Sequence, residues 1–204
     1  MPNKIYFYRM TTDNGGAPCI DDRLWSLAIC KPRIRMGTNA GDVVVGFAGN
    51  NIDPENGIIH IARVTKPLPD GKYYDDAQYH RRSDCIYRRT ETDWKTEPNA
   101  FHSPSEMPTD LGARREHTRV LLSDDFRYFG NEPFRVDWSR FPHLREKLDR
   151  LTKGERVNHS EGVRTELDVL VREAFARPMV VGKPTHKLNC PCNRDDNEPE
   201  GCAE

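Results

Sequence analysis

The chain has no long apolar run: no segment approaches the ~20 apolar residues that a membrane-spanning helix needs, so no membrane partner is expected. It also has almost no net charge. Its 31 Lys and Arg face 32 Asp and Glu, a balance of −1 that excludes a globally basic coat for nucleic acid. The opening stretch MPNKIYFYRM lacks the apolar core of ~7–15 residues that a secretory signal carries, so a cytoplasmic, reducing setting is expected. No GxGxxG, P-loop or HExxH pattern is present, which removes the common signatures of dinucleotide, ATP and zinc-protease sites. Hydrophobic residues are few, at 36%, and charged residues make up 31%, so the core must be modest. The apolar residues are nevertheless clustered, which excludes a disordered chain.

The clusters give a coarse organisation of the 204 residues. Ile5-Tyr6-Phe7-Tyr8 is aromatic and β-branched and reads as a strand. Asp13-Asn14-Gly15-Gly16 is turn chemistry. Residues 24–30 read as a short extended run, which Pro32 ends or converts into one helical turn. Val43-Val44-Val45-Gly46-Phe47-Ala48 and residues 58–64 read as two strands of a hairpin with a longer loop, stopped by Pro67 and Pro69. Residues 71–118 form a long insertion, rich in Asp, Arg, Pro and Tyr and without periodicity, and such a stretch is either functional or mobile. Val120-Leu121-Leu122-Ser123 reads as a strand and residues 126–130 as an aromatic turn. Helical spacing of Phe141, Leu144, Leu148 and Leu151, and of Val163, Leu167, Leu170, Val171 and Ala174, predicts amphipathic helices near 141–152 and 162–176. Residues 1–187 then form one domain, and 188–204 an acidic tail carrying three of the six cysteines.

Several clusters offer chemistry. Lys31, Arg33 and Arg35 place three cations close together and can grip phosphate; the competing reading is a solvated strand edge. Tyr6, Tyr8 and Trp25 can stack a base or simply fill the core. The small polar loop Asp13-Asn14-Gly15-Gly16-Ala17-Pro18-Cys19 can bring backbone N–H groups to a ligand or serve as a connector. Cys19 is a nucleophile candidate only if a base lies beside it. Cys30, in an apolar stretch, reads as a small buried hydrophobe, and His60, between apolar neighbours, as a core or edge histidine. His186, Cys190, Cys192 and Cys202 are four soft ligands, enough for a tetrahedral zinc, although their spacing is not the usual CxxC pairing.

Read together, Thr11-Thr12-Asp13-Asn14-Gly15-Gly16-Ala17-Pro18, Leu27-Ala28-Ile29-Cys30-Lys31-Pro32-Arg33-Ile34-Arg35, Gly41-Asp42-Val43-Val44-Val45-Gly46, Ala62-Arg63-Val64-Thr65 and Arg119-Val120-Leu121-Leu122-Ser123-Asp124-Asp125-Phe126-Arg127-Tyr128-Phe129-Gly130 follow one another in a familiar order. The chain resembles the second type of nucleotide-modification-associated domain, a family of bacteria and phages implied to work beside enzymes that make modified DNA bases. The Gly-Asp-strand-loop-strand order is also similar to PUA-like domains of the EVE and ASCH groups, which bind RNA or modified bases in a cleft. The resemblance implies an α+β fold: a PUA-like, mixed or antiparallel β-barrel from residues 1–130 with flanking C-terminal helices. The sequence departs from the family after Pro18, in the length of the insertion and in the cysteine-containing tail.

Three functions are weighed. The first is binding of DNA, RNA or a modified nucleotide, in association with DNA base modification and with base-modifying enzymes as partners. Its candidate ligand residues are Tyr8, Asp13, Asn14, Ala17, Pro18, Trp25, Lys31, Arg33, Arg35 and Gly46, and it requires no cofactor. The second is an enzyme acting directly on a nucleotide or base by group transfer or hydrolysis, with Asp13, Cys19 and Asp124 as candidates. That reading gains support if the three line one pocket. The third is an interaction scaffold built on the insertion and the acidic tail.

Overall fold

The computed structural model describes residues 3–21, 23–151 and 154–186. In chain order the elements are β1 (Ile5–Met10), β2 (Cys19–Asp21), β3 (Leu24–Leu27), α1 (Pro32–Gly37), β4 (Val43–Ala48), β5 (Ile58–Arg63), β6 (Lys66–Leu68), α2 (Lys72–Asp75), β7 (Tyr87–Arg89), β8 (Trp94–Thr96), α3 (Met107–Leu111), β9 (Val120–Ser123), β10 (Asp125–Tyr128), α4 (Pro142–Asp149), β11 (Glu155–Arg156) and α5 (Glu161–Phe175). A five-stranded sheet runs β10-β5-β4-β1-β11, with β1 and β4 parallel and the other pairs antiparallel. A four-stranded antiparallel sheet runs β2-β3-β9-β6.

Burial on both faces explains why β1 and β4 read as nearly continuous apolar runs. Ile5 and Phe7 of β1, with Val43, Val45 and Phe47 of β4, meet the buried faces of α4 and α5. Tyr6, Tyr8 and Met10, with Val44 and Ala48, point the other way, toward Trp25 and Leu27 of β3 and Leu121 of β9. The period-2 alternation of a strand therefore assigns alternate residues of one segment to two different cores. In α5 the buried set Val163, Leu167, Leu170, Val171 and Ala174 is the helical stripe expected from the spacing.

The insertion is folded. It carries α2, the β7–β8 hairpin and α3, and its Tyr73, Tyr74, Tyr87, Trp94 and Leu111 form a third core against Ile29, Val120 and Leu122. Asp84, buried within it, accepts hydrogen bonds from the hydroxyls of Tyr73 and Ser26 at 2.5 Å each, which ties it to β3.

The structure corrects three expectations. The aromatic turn expected over 126–130 is strand β10 as far as Tyr128; Phe126 and Tyr128 turn inward, and the bend comes at Gly130, whose φ is +53°. The strand over 58–64 does stop, at Arg63, but Pro67 then lies within a further strand, β6, at an edge of the four-stranded sheet where a missing N–H costs no ladder bond. Among the described residues the strands form separate sheets rather than a closed barrel. The chain passes between the two larger sheets at residues 64–65 and at Asp124, where the Ser123 hydroxyl donates to the Arg63 carbonyl at 2.6 Å, but among the described residues no strand ladder links one sheet with the other. Among the described residues no helix is long and apolar enough to cross a membrane.

Gly46 gives the fold a testable point of close approach. A Cβ there would lie 2.4 Å from His60 Nε2 and 2.6 Å from Met10 Sδ, with the His60 ring wholly enclosed. Gly46→Ala is expected to lower stability by about 1–3 kcal/mol through overpacking, read as a lower urea midpoint with unchanged slope.

Candidate functional site

After β3 the chain makes a sharp turn. Cys30 and Lys31, neither of them glycine, hold φ of +58° and +45°, and Pro32 then opens α1. Two successive left-handed residues are strained, and such strain gathers where the surroundings over-determine a side chain's position. Arg35 does much of that work. Its fully buried guanidinium donates to the carbonyls of Cys30 (2.8 Å), His117 (2.7 Å), Arg119 (2.8 Å) and Asp110 (2.5 Å), binding the turn to the insertion.

The turn presents Cys30 to His102 and Asp110, both from the insertion. Cys30 Sγ lies 3.4 Å from His102 Nε2, and His102 Nδ1 lies 2.6 Å from Asp110 Oδ2. Asp110 also accepts the Cys30 N–H at 2.6 Å and the Tyr87 hydroxyl at 2.7 Å. The backbone around His102 is fixed by Asn99 Oδ1, which accepts the N–H groups of Phe101 and His102 at 2.8 Å each. Burial opposes charge on both members of the pair. For His102 it is outweighed by Asp110 and Cys30, and the imidazole is pushed up to about 10. For Asp110 burial is outweighed by His102, Tyr87 and the Cys30 N–H, and the carboxyl falls below its ordinary value. A cysteine, an imidazole and a buried carboxylate thus stand in line.

Cys30 and His102 open into a cavity of about 260 Å³. Tyr8 and Met10 of β1 also line it, as do Thr11, Thr12, Asn14 and Ala17 of the following loop. Lys31 closes another side, and Phe101 and Glu106 of the insertion complete it. The loop is pinned from behind by Asp13, which accepts the Tyr128 hydroxyl at 2.9 Å and the Thr185 N–H at 3.1 Å. His186 donates its N–H to the Asp13 carbonyl at 2.8 Å and accepts the Asp13 N–H on Nδ1 at 3.1 Å. Gly16 lets the Phe101 ring settle on the loop, since a Cβ there would lie 2.6 Å from Phe101 Cδ1.

The Lys31 ammonium lies 4.6 Å from the centroid of the Tyr8 ring, and burial holds its pKa below the ordinary value. Among the described residues no carboxylate pairs with it within 4.0 Å. Tyr8 turns its hydroxyl inward to His60 Nε2 at 2.8 Å, and burial together with Lys31 pushes the His60 imidazole down to about 3, which keeps it neutral. The cavity therefore contains a cation with no carboxylate at ion-pair distance, although Glu106 lines the same cavity and Glu155 acts on Lys31 from farther off.

The expected site residues separate into those at the cavity and those elsewhere. Tyr8, Asn14, Ala17 and Lys31 line it. Asp13 stands behind the loop as its anchor, and Pro18 is buried beside it. Trp25 is fully enclosed between the sheets, and Gly46 lies under His60. Arg33 is exposed, whereas Arg35 is spent on main-chain carbonyls. Cys19 is buried with its Sγ 3.3 Å from Ser83 Oγ, and burial, then Asp84, pushes its thiol up to about 12. Asp124 is exposed at the corner between β9 and β10. Asp13, Cys19 and Asp124 do not share the cavity. Cys30, His102, Asp110 and Phe101 are the residues that sequence reasoning did not join, Cys30 lying 72 positions before His102 and 80 before Asp110. Of the tail ligands, Cys190, Cys192 and Cys202 lie outside the described residues, and His186 is engaged by Asp13.

One ligand atom from each of Cys30, His102 and Asp110 lies within 4.8 Å of the others. Both imidazole nitrogens are already engaged, one by sulfur and one by carboxylate, so the ring bridges the other two groups. The ring thus links the sulfur to the carboxylate, the order of groups that a proton relay needs.

A family model described as nucleotide modification associated domain 2 matches residues 2–186. No curated protein and no solved structure matches the chain.

Proposed function

The chain belongs to the nucleotide modification associated domain 2 family, and on that premise we propose that the cavity between the loop after β1 and the Lys31 turn holds a nucleotide or a modified base. The observation that carries this reading is the Lys31 ammonium, without a carboxylate within 4.0 Å among the described residues, sharing one cavity with a small polar loop. A cation without a carboxylate partner, partly removed from water, favours an anion such as phosphate. Phe101 supplies an aromatic wall for the base, and Asn14, Thr11, Thr12 and Glu106 supply donors and acceptors for its edge. At about 260 Å³ the cavity is near the lower end of small-ligand sites (~300 Å³), which suits one nucleotide and not a duplex. A base belonging to DNA or RNA would enter flipped out of its stack, as the PUA-like reading implies. Base-modifying enzymes are the partners this role calls for. The free thiols of Cys19, Cys30 and Cys85 suit a reducing cytoplasm.

Calorimetric titration with plain and modified deoxynucleoside monophosphates at several salt concentrations tests the reading. Binding is expected at low salt, weakening as salt rises. Lys31→Met is expected to cost roughly tenfold to a hundredfold in affinity, the worth of a charged hydrogen bond. Absence of binding by any nucleotide at low salt rejects the proposal.

A further inference from the structure

We propose that the cavity is also a reaction site, in which Cys30 is a catalytic nucleophile, His102 its proton carrier and Asp110 a positioning residue, and that the bond attacked is an ester or amide carbonyl. The inference rests on the nucleotide reading only for what bears the acyl group. Its foundation is geometric. The sulfur, the imidazole and the carboxylate are in sequence at 3.4 and 2.6 Å, and Cys30 and His102 line the cavity while Asp110 is buried and does not. A nucleophile, a base within reach and a third group orienting the base are the parts that covalent catalysis needs. The strained turn at Cys30 and Lys31 holds the sulfur at the cavity wall, with Arg35 fixing its carbonyl and Asp110 its N–H.

The charges around the thiol agree. His102, Asp110, Lys31, Tyr8, Tyr87 and Glu106 face it or line the same cavity. Asp110 favours the imidazolium, whose Nε2 lies 3.4 Å from the sulfur, and Lys31 lines the same cavity. An ester or amide fits these parts, because its leaving oxygen or nitrogen needs the proton that His102 Nε2 holds, and its carbonyl oxygen gains charge that Lys31 can meet.

The step balances as follows. The thiolate forms a C–S bond as the carbonyl π pair moves onto oxygen. When that pair returns, the C–O or C–N bond breaks and the leaving atom takes the Nε2 proton. Water then adds to the thioester carbon and gives one proton to the neutral imidazole. The C–S bond breaks, a carboxylic acid departs, and the thiolate–imidazolium pair is restored.

The test treats the full chain with iodoacetamide and, separately, with p-nitrophenyl acetate, and reads Cys30 by peptide mass spectrometry. An ordinary thiol of pKa ~8.5 alkylates close to a hundredfold faster at pH 8 than at pH 6. The Cys30 rate is expected to change less than about threefold over that range, with the steep dependence returning in His102→Gln. The ester is expected to leave an acetyl group on Cys30 that water later removes. A steep, ordinary pH profile in the unaltered protein, no acetyl adduct, or one equivalent of zinc that is lost in His102→Gln overturns the inference. The unaltered protein's own profile decides even if the variant does not fold. Nucleotide binding with an ordinary Cys30 overturns the nucleophile and leaves the nucleotide reading standing. A reactive Cys30 with no nucleotide bound does the reverse.

Discussion

Replacing Arg35 with methionine is expected to lower stability by about 3–5 kcal/mol, the largest effect of any single substitution in the turn. The side chain has no exposed surface and its guanidinium is shared among four main-chain carbonyls from α1's own turn and from both ends of the 110–119 segment. Methionine fills much of the volume but leaves those carbonyls buried without donors, and each orphaned acceptor keeps its full desolvation cost. For a chain of this size the loss corresponds to a fall in Tm of roughly 10 °C or more. Arg35→Lys is expected to recover only part of it, since a single ammonium cannot reproduce the fork. Cys30 alkylation should slow in parallel, because the same carbonyl bonds hold the turn against Asp110. A Tm within about 2 °C of the unaltered protein would show that the turn is held some other way.

The second large effect is a pH dependence. The His102 imidazole has a folded-state pKa near 10, above the ordinary 6.5, so its pairing stabilises the fold fully below about pH 6.5 and is lost as pH rises toward 10. Asp110 is shifted the opposite way; its contribution is present above the ordinary carboxylate value and is lost as pH falls through its lowered one. The difference in stability between the unaltered protein and His102→Gln should therefore be greatest between about pH 5 and 6.5, on the order of 3 kcal/mol, and should fade by pH ~10. Melting curves of both proteins over pH 5–10 measure it. A difference that stays constant with pH would mean that His102 contributes packing and no charge.

How far the sequence discloses these features depends on how local they are. β1, β4, β5, β9, α4 and α5 are legible because each carries its burial pattern within a single segment. β10 is not, because four residues ending at an aromatic pair and a glycine look like a bend until Ile61 and His60 pair with them across the sheet. The three-cation rim fails on helical geometry: Arg33 and Arg35 are two positions apart in α1, which puts them on opposite sides of the helix, one outward and one inward. Lys31 and the loop after β1 are early and close in sequence, and both are visible as polar breaks beside strands. The relay is different. Cys30 looks like a small hydrophobe among Leu27, Ala28 and Ile29, and its partners lie in an insertion without periodicity. Only the packing of the Tyr-rich third core on the outer face of the four-stranded sheet carries His102 and Asp110 back to the turn.

A crystal structure of the protein grown with a deoxynucleoside monophosphate examines the account most directly. The account predicts the phosphate at the Lys31 ammonium and the base against Phe101, within reach of Asn14 and beside Cys30. A nucleotide bound on another surface, with this cavity filled only by water, would contradict it.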